Sequence, residues 1–378
     1  MASQAIDIKN KKDSQSVARS PDMVANFEIN FYQYLNAEGK IVAPIPVVIQ
    51  DPEKLQHFYK AITQTRMFDK KAVSLQRRGQ LGTYASCLGQ EAIGVAVGSA
   101  MQKQDVLLPA YREYGAQFLR GVTMAEILLY WGGNEVGMNF QQARKDFPIC
   151  VPIASQVPHA VGVAFAMKLR GEKRVAVCVL GDGATSKGDF YEAINAAGTW
   201  SLPVIFIVNN NGWAISQPRH QQSRATTLAQ KAIAAGFAGE QVDGNDVLAL
   251  YDRITQALNK ARDGGGPTLI EALTYRLCDH TTADDATRYR SDDELKLQWN
   301  NEPLRRLQNY LIDRGYWSEQ DQTRMLDECR ERIENAVGEY LSTPSQGAGS
   351  MFDYLYHSLP ESLQEQRRDA IKGSHKHD

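Results

Sequence analysis

At 378 residues, with 43% hydrophobic and 23% charged side chains, the chain is long enough for one large α/β domain or two ordinary ones. Its formal net charge of −2 gives no electrostatic case for nucleic acid or an acidic membrane surface, and no apolar run approaches the roughly 20 residues of a membrane span. Five scattered cysteines (Cys87, Cys150, Cys178, Cys278, Cys329) show neither zinc nor disulfide spacing, which points to a reducing compartment, the cytoplasm.

Residues 1–26 are polar and aperiodic and read as a mobile arm. They lack a charged-then-apolar signal pattern, and Asp7 and Asp13 make a poor transit peptide. Phe27–Tyr34 is aromatic and β-branched, a segment expected to dock on a partner. Asp51-Pro52 is a helix start, with Asp as cap and Pro in the first turn; Leu55, Phe58, Tyr59, Ile62 and Met67 follow at core-facing spacing, up to the polar stop Arg77-Arg78-Gly79-Gln80. Small residues recur through Leu81–Ala100, with Gln90-Glu91 opening a helix. Asp105–Leu108 is a short strand running into Tyr111-Arg112, and an arginine at a strand end can grip a phosphate through a forked contact. Thr123–Trp131 is an amphipathic helix, and a patternless loop, 132–148, leads to Cys150–Gln156 and a helix over Val157–Leu169.

The central stretch is Val175–Ser216. Apolar Val175–Leu180 ends in Gly181-Asp182-Gly183, small residues at helical spacing follow, and apolar Val204–Val208 ends in Asn209-Asn210-Asn211-Gly212. This is a right-handed βαβ unit with two buried parallel strands. As neighbours, the two strands end about 5 Å apart, at the sheet edge where open α/β folds bind ligands. The carboxylate of Asp182 and the amide oxygen of Asn211 make a hard, oxygen-only set suited to magnesium. Gly181 and Gly183 let backbone approach a phosphate, and a helix starting near Gly188-Asp189 aims its positive end there. Beyond it come a strand and turn within Ala234–Val247, a helix over Val247–Arg262 and a buried strand over Thr268–Arg276. Asp243 and Asp246 read as turn and cap rather than metal ligands. The polar loop Leu277–Ser291 follows a strand at the ligand edge and carries His280, the one histidine so placed. Helices are expected over Asp292–Arg314, with Ser291 and Glu294 as a capping box, and over Ser318–Leu341, with Ser318 and Asp321 as cap. A linker over Ser342–Ser350 and an amphipathic Met351–Arg368 complete the chain. The organisation reads as an arm (1–26), an α/β domain with flanking helices (27–345) and a helical tail (346–378).

The paired strings GDGATSKGDFYEAIN and NNGWAIS resemble the alpha subunit of the thiamine diphosphate-dependent first component of 2-oxo acid dehydrogenase complexes, over about Phe27 to Ile371. The resemblance implies a doubly wound, mostly parallel α/β fold of diphosphate-binding type with a helical C-terminal extension. It implies magnesium held by Asp182, Asn211 and the carbonyl of Trp213. Around the cofactor it places Tyr111, Arg112, Gly181, Gly183, Ala184 and His280, with the backbones of Val151 and Ile153 flanking and Ile153 holding the cofactor bent. It assigns His280 to the diphosphate end and to acyl transfer, and matches Arg276, Asp284, Tyr289 and Arg290 to residues that pin the loop. Tyr84, Ala85 and Ser86 would lie near the substrate entrance, and Thr281 occupies a position phosphorylated in some relatives. One departure stands out: many members carry a histidine within the stretch corresponding to 132–148, and this sequence has none there.

The implied activity is oxidative decarboxylation of a small 2-oxo acid with transfer of the acyl group to a lipoyl domain of the dihydrolipoyl acyltransferase component. Pyruvate is the first expectation; branched-chain 3-methyl-2-oxobutanoate and acetoin are the alternatives. The chain has no room for a second doubly wound domain to hold the pyrimidine ring. The activating carboxylate is therefore expected from a beta subunit, in an α2β2 heterotetramer. A reading of a different class, a non-catalytic phosphate- or nucleotide-binding module, fits the fold alone but not the paired motifs.

Overall fold

The computed structural model describes residues 23–374. The arm expected at 1–26 lies outside the described residues except for 23–26, which are exposed and belong to no helix or strand. The strands are β1 (Phe31–Tyr32), β2 (Val106–Leu108), β3 (Ala176–Gly181), β4 (Val204–Asn210), β5 (Trp213–Ala214), β6 (Gln217–Pro218), β7 (Ala238–Asp243) and β8 (Thr268–Leu273). Six of them form one wholly parallel sheet in the order β1-β7-β8-β4-β3-β2, while β5 and β6 make a small antiparallel ribbon.

Strand periodicity of two divides the core. Val177 and Val179 of β3 and Ile205 and Ile207 of β4 face one layer, covered by helices Pro52–Arg77, Glu91–Ala100 and Val247–Arg262. Cys178 and Leu180, with Phe206 and Val208, face the other, covered by helices Gln156–Leu169 and Gly188–Thr199. Both faces are buried, so these strands read as unbroken apolar runs, and each fully buried aliphatic or phenyl side chain contributes about 1.5–3 kcal/mol. The expected doubly wound α/β fold is the fold observed. Cys178 is plain core, and among the described residues no helix is long and apolar enough to cross a membrane.

The helix signals hold where a cap and a periodic face coincide. Asp51 caps Pro52–Arg77, with its carboxylate accepting from the Glu53 amide, and Ser318 and Asp321 form a reciprocal capping box for Glu319–Ser342. Asp246 is a cap and not a metal ligand: its carboxylate accepts from the Leu248 and Ala249 amides and also from Tyr34 and Leu35. Asp243 pairs with Arg306.

Several expectations are corrected. The helix over Asp292–Arg314 is two helices, Asp292–Gln298 and Pro303–Asp313, because Pro303 cannot continue a helix and Glu302 recaps the chain there. Ser291 does cap the first of these, but Glu294 accepts from the Tyr275 hydroxyl at 2.5 Å instead of closing the box. Of the amphipathic Met351–Arg368, the part from Glu361 on belongs to a helix, Glu361–Ser374; Pro360 stands just before it, and residues 348–352 form a short 3-10 turn. Within the aromatic segment near the N-terminus, β1 pairs in parallel with β7 at Gln241 and Val242, while Phe27 and Phe31 stay exposed.

Candidate active site

The carboxyl ends of β2, β3 and β4 converge on a cavity of about 540 Å³. Tyr111, Arg112, Ile153, Gly181, Asp182, Gly183, Ala184, Asn211, Trp213 and His280 all line it, so residues spread over 170 positions of sequence meet in one place. Val151 does not line it; it is half-exposed and stands three residues before the strained Ala154. Tyr84 and Ala85 are core rather than entrance, and Ser86 is buried beside them. The Tyr84 hydroxyl and the Ser86 hydroxyl both go to the buried Asp69 carboxylate, which anchors that segment beneath the loop.

Each functional side chain is delivered by a definite local device. Asp182 begins a 3-10 turn, Asp182–Ser186, between β3 and helix Gly188–Thr199, and Lys231 ties that turn from below through Thr185. Asp182 is 3% exposed, and burial pushes its carboxyl up to about 6. Its one side-chain partner is the Gln222 amide at 3.3 Å, so the group is under-compensated for its burial. At Gly181 an added Cβ would meet nothing within 4 Å. At Gly183 it would lie 2.6 Å from the Ala214 Cβ, so this glycine is demanded by the close approach of β5 rather than by a phosphate.

The asparagine triplet is resolved by strand periodicity. Asn209 and Asn211 point to the cavity side, both donating to Oε1 of Gln90 at 2.7 and 3.2 Å, whereas Asn210 points away and donates to Glu271 at 2.7 Å. The Asn211 amide oxygen accepts from the Trp213 backbone N–H at 3.2 Å, which leaves its second lone pair free for a cation. Two residues on the rim hold left-handed backbone conformations without being glycine: Ala154 at φ 68° and Ile215 at φ 55°. For a β-branched residue such a conformation is a true outlier, of the kind stored at functional sites. The Ile215 carbonyl is held by Arg276 at 2.8 Å.

Arg112 is buried. It donates to the Ser86 carbonyl, to the His280 carbonyl at 2.7 Å and to His280 Nδ1 at 3.1 Å. Because a guanidinium cannot accept, Nδ1 is the acceptor and the neutral ring carries its proton on Nε2. Burial, then the charges of Arg112 and Arg276, drive the His280 imidazole down to about 4. His280 also stands edge-on to Tyr111, with ring centres 6.2 Å apart. The loop that presents it is pinned as expected. Asp284 accepts from the His280 amide and the Tyr289 hydroxyl, Arg276 donates to that hydroxyl at 2.8 Å, and Arg290 donates to the carbonyls of Arg276 and Cys278.

The sequence did not single out Gln90, Glu113, Cys150, Gln156, Asn209, Ser186 or Lys187 as site residues, yet all line the cavity. Asn209 and Glu113 had a signal: one opens the asparagine triplet, the other follows Arg112. Gln90 and Gln156 had only their places at helix starts. Segment 132–148, which lacks the expected histidine, contributes nothing to the lining, and His280 is the one imidazole there among the described residues.

The residues fit a hydrated cation with a diphosphate. Gln90 Nε2, Asn209 Oδ1 and Gln156 Oε1 are buried without partners, an unusual concentration of orphaned polar atoms around one cavity. The Gln156–Leu169 and Gly188–Thr199 helices both begin at its rim, supplying backbone N–H groups and positive dipole ends. Among the described residues no three His, Cys, Asp or Glu side chains cluster as metal ligands, so a cation here would rest on one carboxylate with neutral oxygens.

Residues 59–348 match the model of the family described as "Dehydrogenase E1 component". A Staphylococcus aureus protein named pyruvate dehydrogenase E1 component subunit alpha is 39% identical over 347 residues, covering 91% of this chain and 93% of its own. Bacillus subtilis and Staphylococcus epidermidis proteins of the same name are 38% and 39% identical, over 89% and 88% of this chain and 91% and 90% of theirs.

Proposed function

The chain belongs to the dehydrogenase E1 component family, and on that premise we propose that it is the alpha subunit of a pyruvate dehydrogenase first component. It would act in the cytoplasm with thiamine diphosphate and magnesium, decarboxylating pyruvate and passing the acyl group to the lipoyl domain of an acyltransferase. The observation that carries this reading is the meeting of Arg112, Asp182, Asn211, Trp213 and His280 around one cavity at the carboxyl edge of the sheet. Pyruvate is taken from the names of relatives that match over nearly their full length; none of these three names a branched-chain acid or acetoin.

When bound, thiamine diphosphate supplies the nucleophilic carbon and the electron sink for decarboxylation. This chain's part is to bind and orient. Asp182, the Asn211 amide oxygen and the Trp213 carbonyl would hold magnesium. Arg112, Tyr111 and the two helix starts would hold the diphosphate, with Gly181, Gly183 and Ala184 forming the floor, and the backbones of Val151 and Ile153 would flank the rings. His280, neutral with a proton on Nε2, would donate a hydrogen bond at the diphosphate end and assist acyl transfer. The activating carboxylate for the pyrimidine would come from a beta subunit in an α2β2 assembly. The exposed apolar side chains in the cavity lining, Ile153 and Ile215, are consistent with such a cover.

The test is turnover by the chain co-expressed with its beta-type partner, given magnesium, thiamine diphosphate and an artificial electron acceptor. Pyruvate should be consumed faster than 3-methyl-2-oxobutanoate, and the chain alone should consume neither. Turnover without a partner would refute the shared site; a preference for the branched acid would refute the substrate.

A further inference from the structure

Gln90 closes the turn before helix Glu91–Ala100, is 3% exposed and lines the cavity. The orientation of its amide follows from its neighbours. The Trp213 backbone N–H donates to Asn211 Oδ1, so the other end of that amide, Nδ2, must face away as a donor. That donor and the Asn209 Nδ2 both reach Gln90 at 3.2 and 2.7 Å, so the atom between them has to be the Gln90 carbonyl oxygen. Two atoms are left over by this chain of constraints, Gln90 Nε2 and Asn209 Oδ1, and both are buried without a partner. One is a donor and the other an acceptor.

We propose that Gln90 is the positioning residue of the metal–diphosphate site: its carbonyl oxygen locks the rotamers of Asn209 and Asn211, and its free amide N–H₂ donates to a diphosphate oxygen. This rests on the cofactor reading above. Without the lock, the Asn211 amide is left with the Trp213 N–H at 3.2 Å as its one restraint, on a terminal torsion that is broad and two-fold, and its oxygen is less firmly aimed at the cation. The orphaned Asn209 oxygen is the matching acceptor for a metal-bound water, a group that only donates. Gln90 therefore couples both halves of the ligand, the cation through its oxygen and the anion through its nitrogen. With Asp182 as the one carboxylate among the proposed ligands, such orientation is decisive, since neutral amide oxygens hold a cation weakly unless they are aimed.

The experiment uses the chain with its beta-type partner and reads magnesium and thiamine diphosphate binding through tryptophan emission, Trp213 being in the cavity wall. Gln90→Leu removes the acceptor and should weaken magnesium about 10–100-fold, the range for residues that orient metal ligands. The loss should fall on the apparent KM for magnesium more than on kcat. Gln90→Glu keeps an acceptor for both asparagines but has no donor; magnesium affinity should be largely restored while thiamine diphosphate binding falls. Wild-type affinities in folded Gln90→Leu, or equal magnesium losses in both variants, would overturn the proposal. Should Gln90→Leu fail to assemble, the Gln90→Glu pattern alone decides. A wild-type complex that binds neither magnesium nor thiamine diphosphate would overturn the cofactor reading and, with it, this inference.

Discussion

Replacing Arg112 by Met tests whether one guanidinium holds both the loop and the state of its histidine. Arg112 makes three hydrogen bonds, to the carbonyls of Ser86 and His280 and to His280 Nδ1. Bonds to a charged group contribute about 1.5–3 kcal/mol each, so the sum has a ceiling of about 9 kcal/mol. The His280 end lies at a cavity that water can enter and the loop can relax, so a loss of about 3 kcal/mol is expected. Against a global stability of about 5–15 kcal/mol the variant stays folded, and the damage should concentrate in residues 277–291. The imidazole should respond too. It is held down at about 4 by burial first and by Arg112 second; with the charge gone, its pKa should rise towards the unperturbed 6.5 or so. The sign is fixed. Between about 6.5 and 4 the unfolded chain binds a proton here that the folded chain refuses, so this group costs stability as pH falls through that window. The variant narrows the window. Amide hydrogen exchange over 277–291 and an NMR titration of the imidazole read both effects. Unchanged loop protection together with an unmoved His280 would refute the coupling.

His280→Ala should leave thiamine diphosphate bound but lower acyl transfer to a lipoyl domain by about 10²-fold or more, the scale of a positioned proton donor; wild-type transfer would reduce His280 to loop structure. In the intact protein, kcat/KM should be flat between pH 5 and 8 as far as His280 is concerned, and a limb near 6.5 that disappears in His280→Ala would contradict the depressed value. Gly183→Ala forces a Cβ to within 2.6 Å of Ala214 and 3.2 Å of the Gln222 amide oxygen. Overpacking of this kind costs about 1–3 kcal/mol, and because it displaces the Asp182 turn, the thermal shift on adding magnesium with thiamine diphosphate should vanish; a shift of wild-type size would show that the turn tolerates the methyl group.

Much of this architecture was legible because local and tertiary demands agree. The runs at 175–180 and 204–208 are apolar on every residue because both faces of the sheet are covered, and Asp182 and Asn211 were recoverable because they leave those strands at one edge. The capped helix starts at Asp51 and Ser318 likewise needed only near neighbours. The failures lie where distant residues decide. Nothing local to 31–32 says that β7 needs a partner, and nothing local to Tyr84 places it against Asp69. Glu294 sits at the capping-box position but is taken by Tyr275, a choice made by the fold. Gln90 escaped for the same reason: a glutamine before a helix reads as a cap, and only the packing of two strand ends against it makes it a bridge. At Pro303 the signal was present in the sequence, and the apolar periodicity on either side masked it.

The pairing of β1 with β7 joins residue 31 to residue 241. At a translation rate of about 5–20 residues per second, some 10–40 s separate the emergence of the first from that of the second. Through that interval the N-terminal segment has no seat, since the Asp246 carboxylate that receives the Tyr34 and Leu35 amides is synthesised later still. Of the six strands in the sheet, the one made first thus cannot pair until β7 has been made. Once β7 is made, the stretch of its outer edge at Gln241 and Val242 stays open to any extended peptide until β1 docks. The two residues of β1 serve as a late latch, and the order of synthesis makes the interval before it closes the time when the newborn chain is most prone to pair with the wrong neighbour.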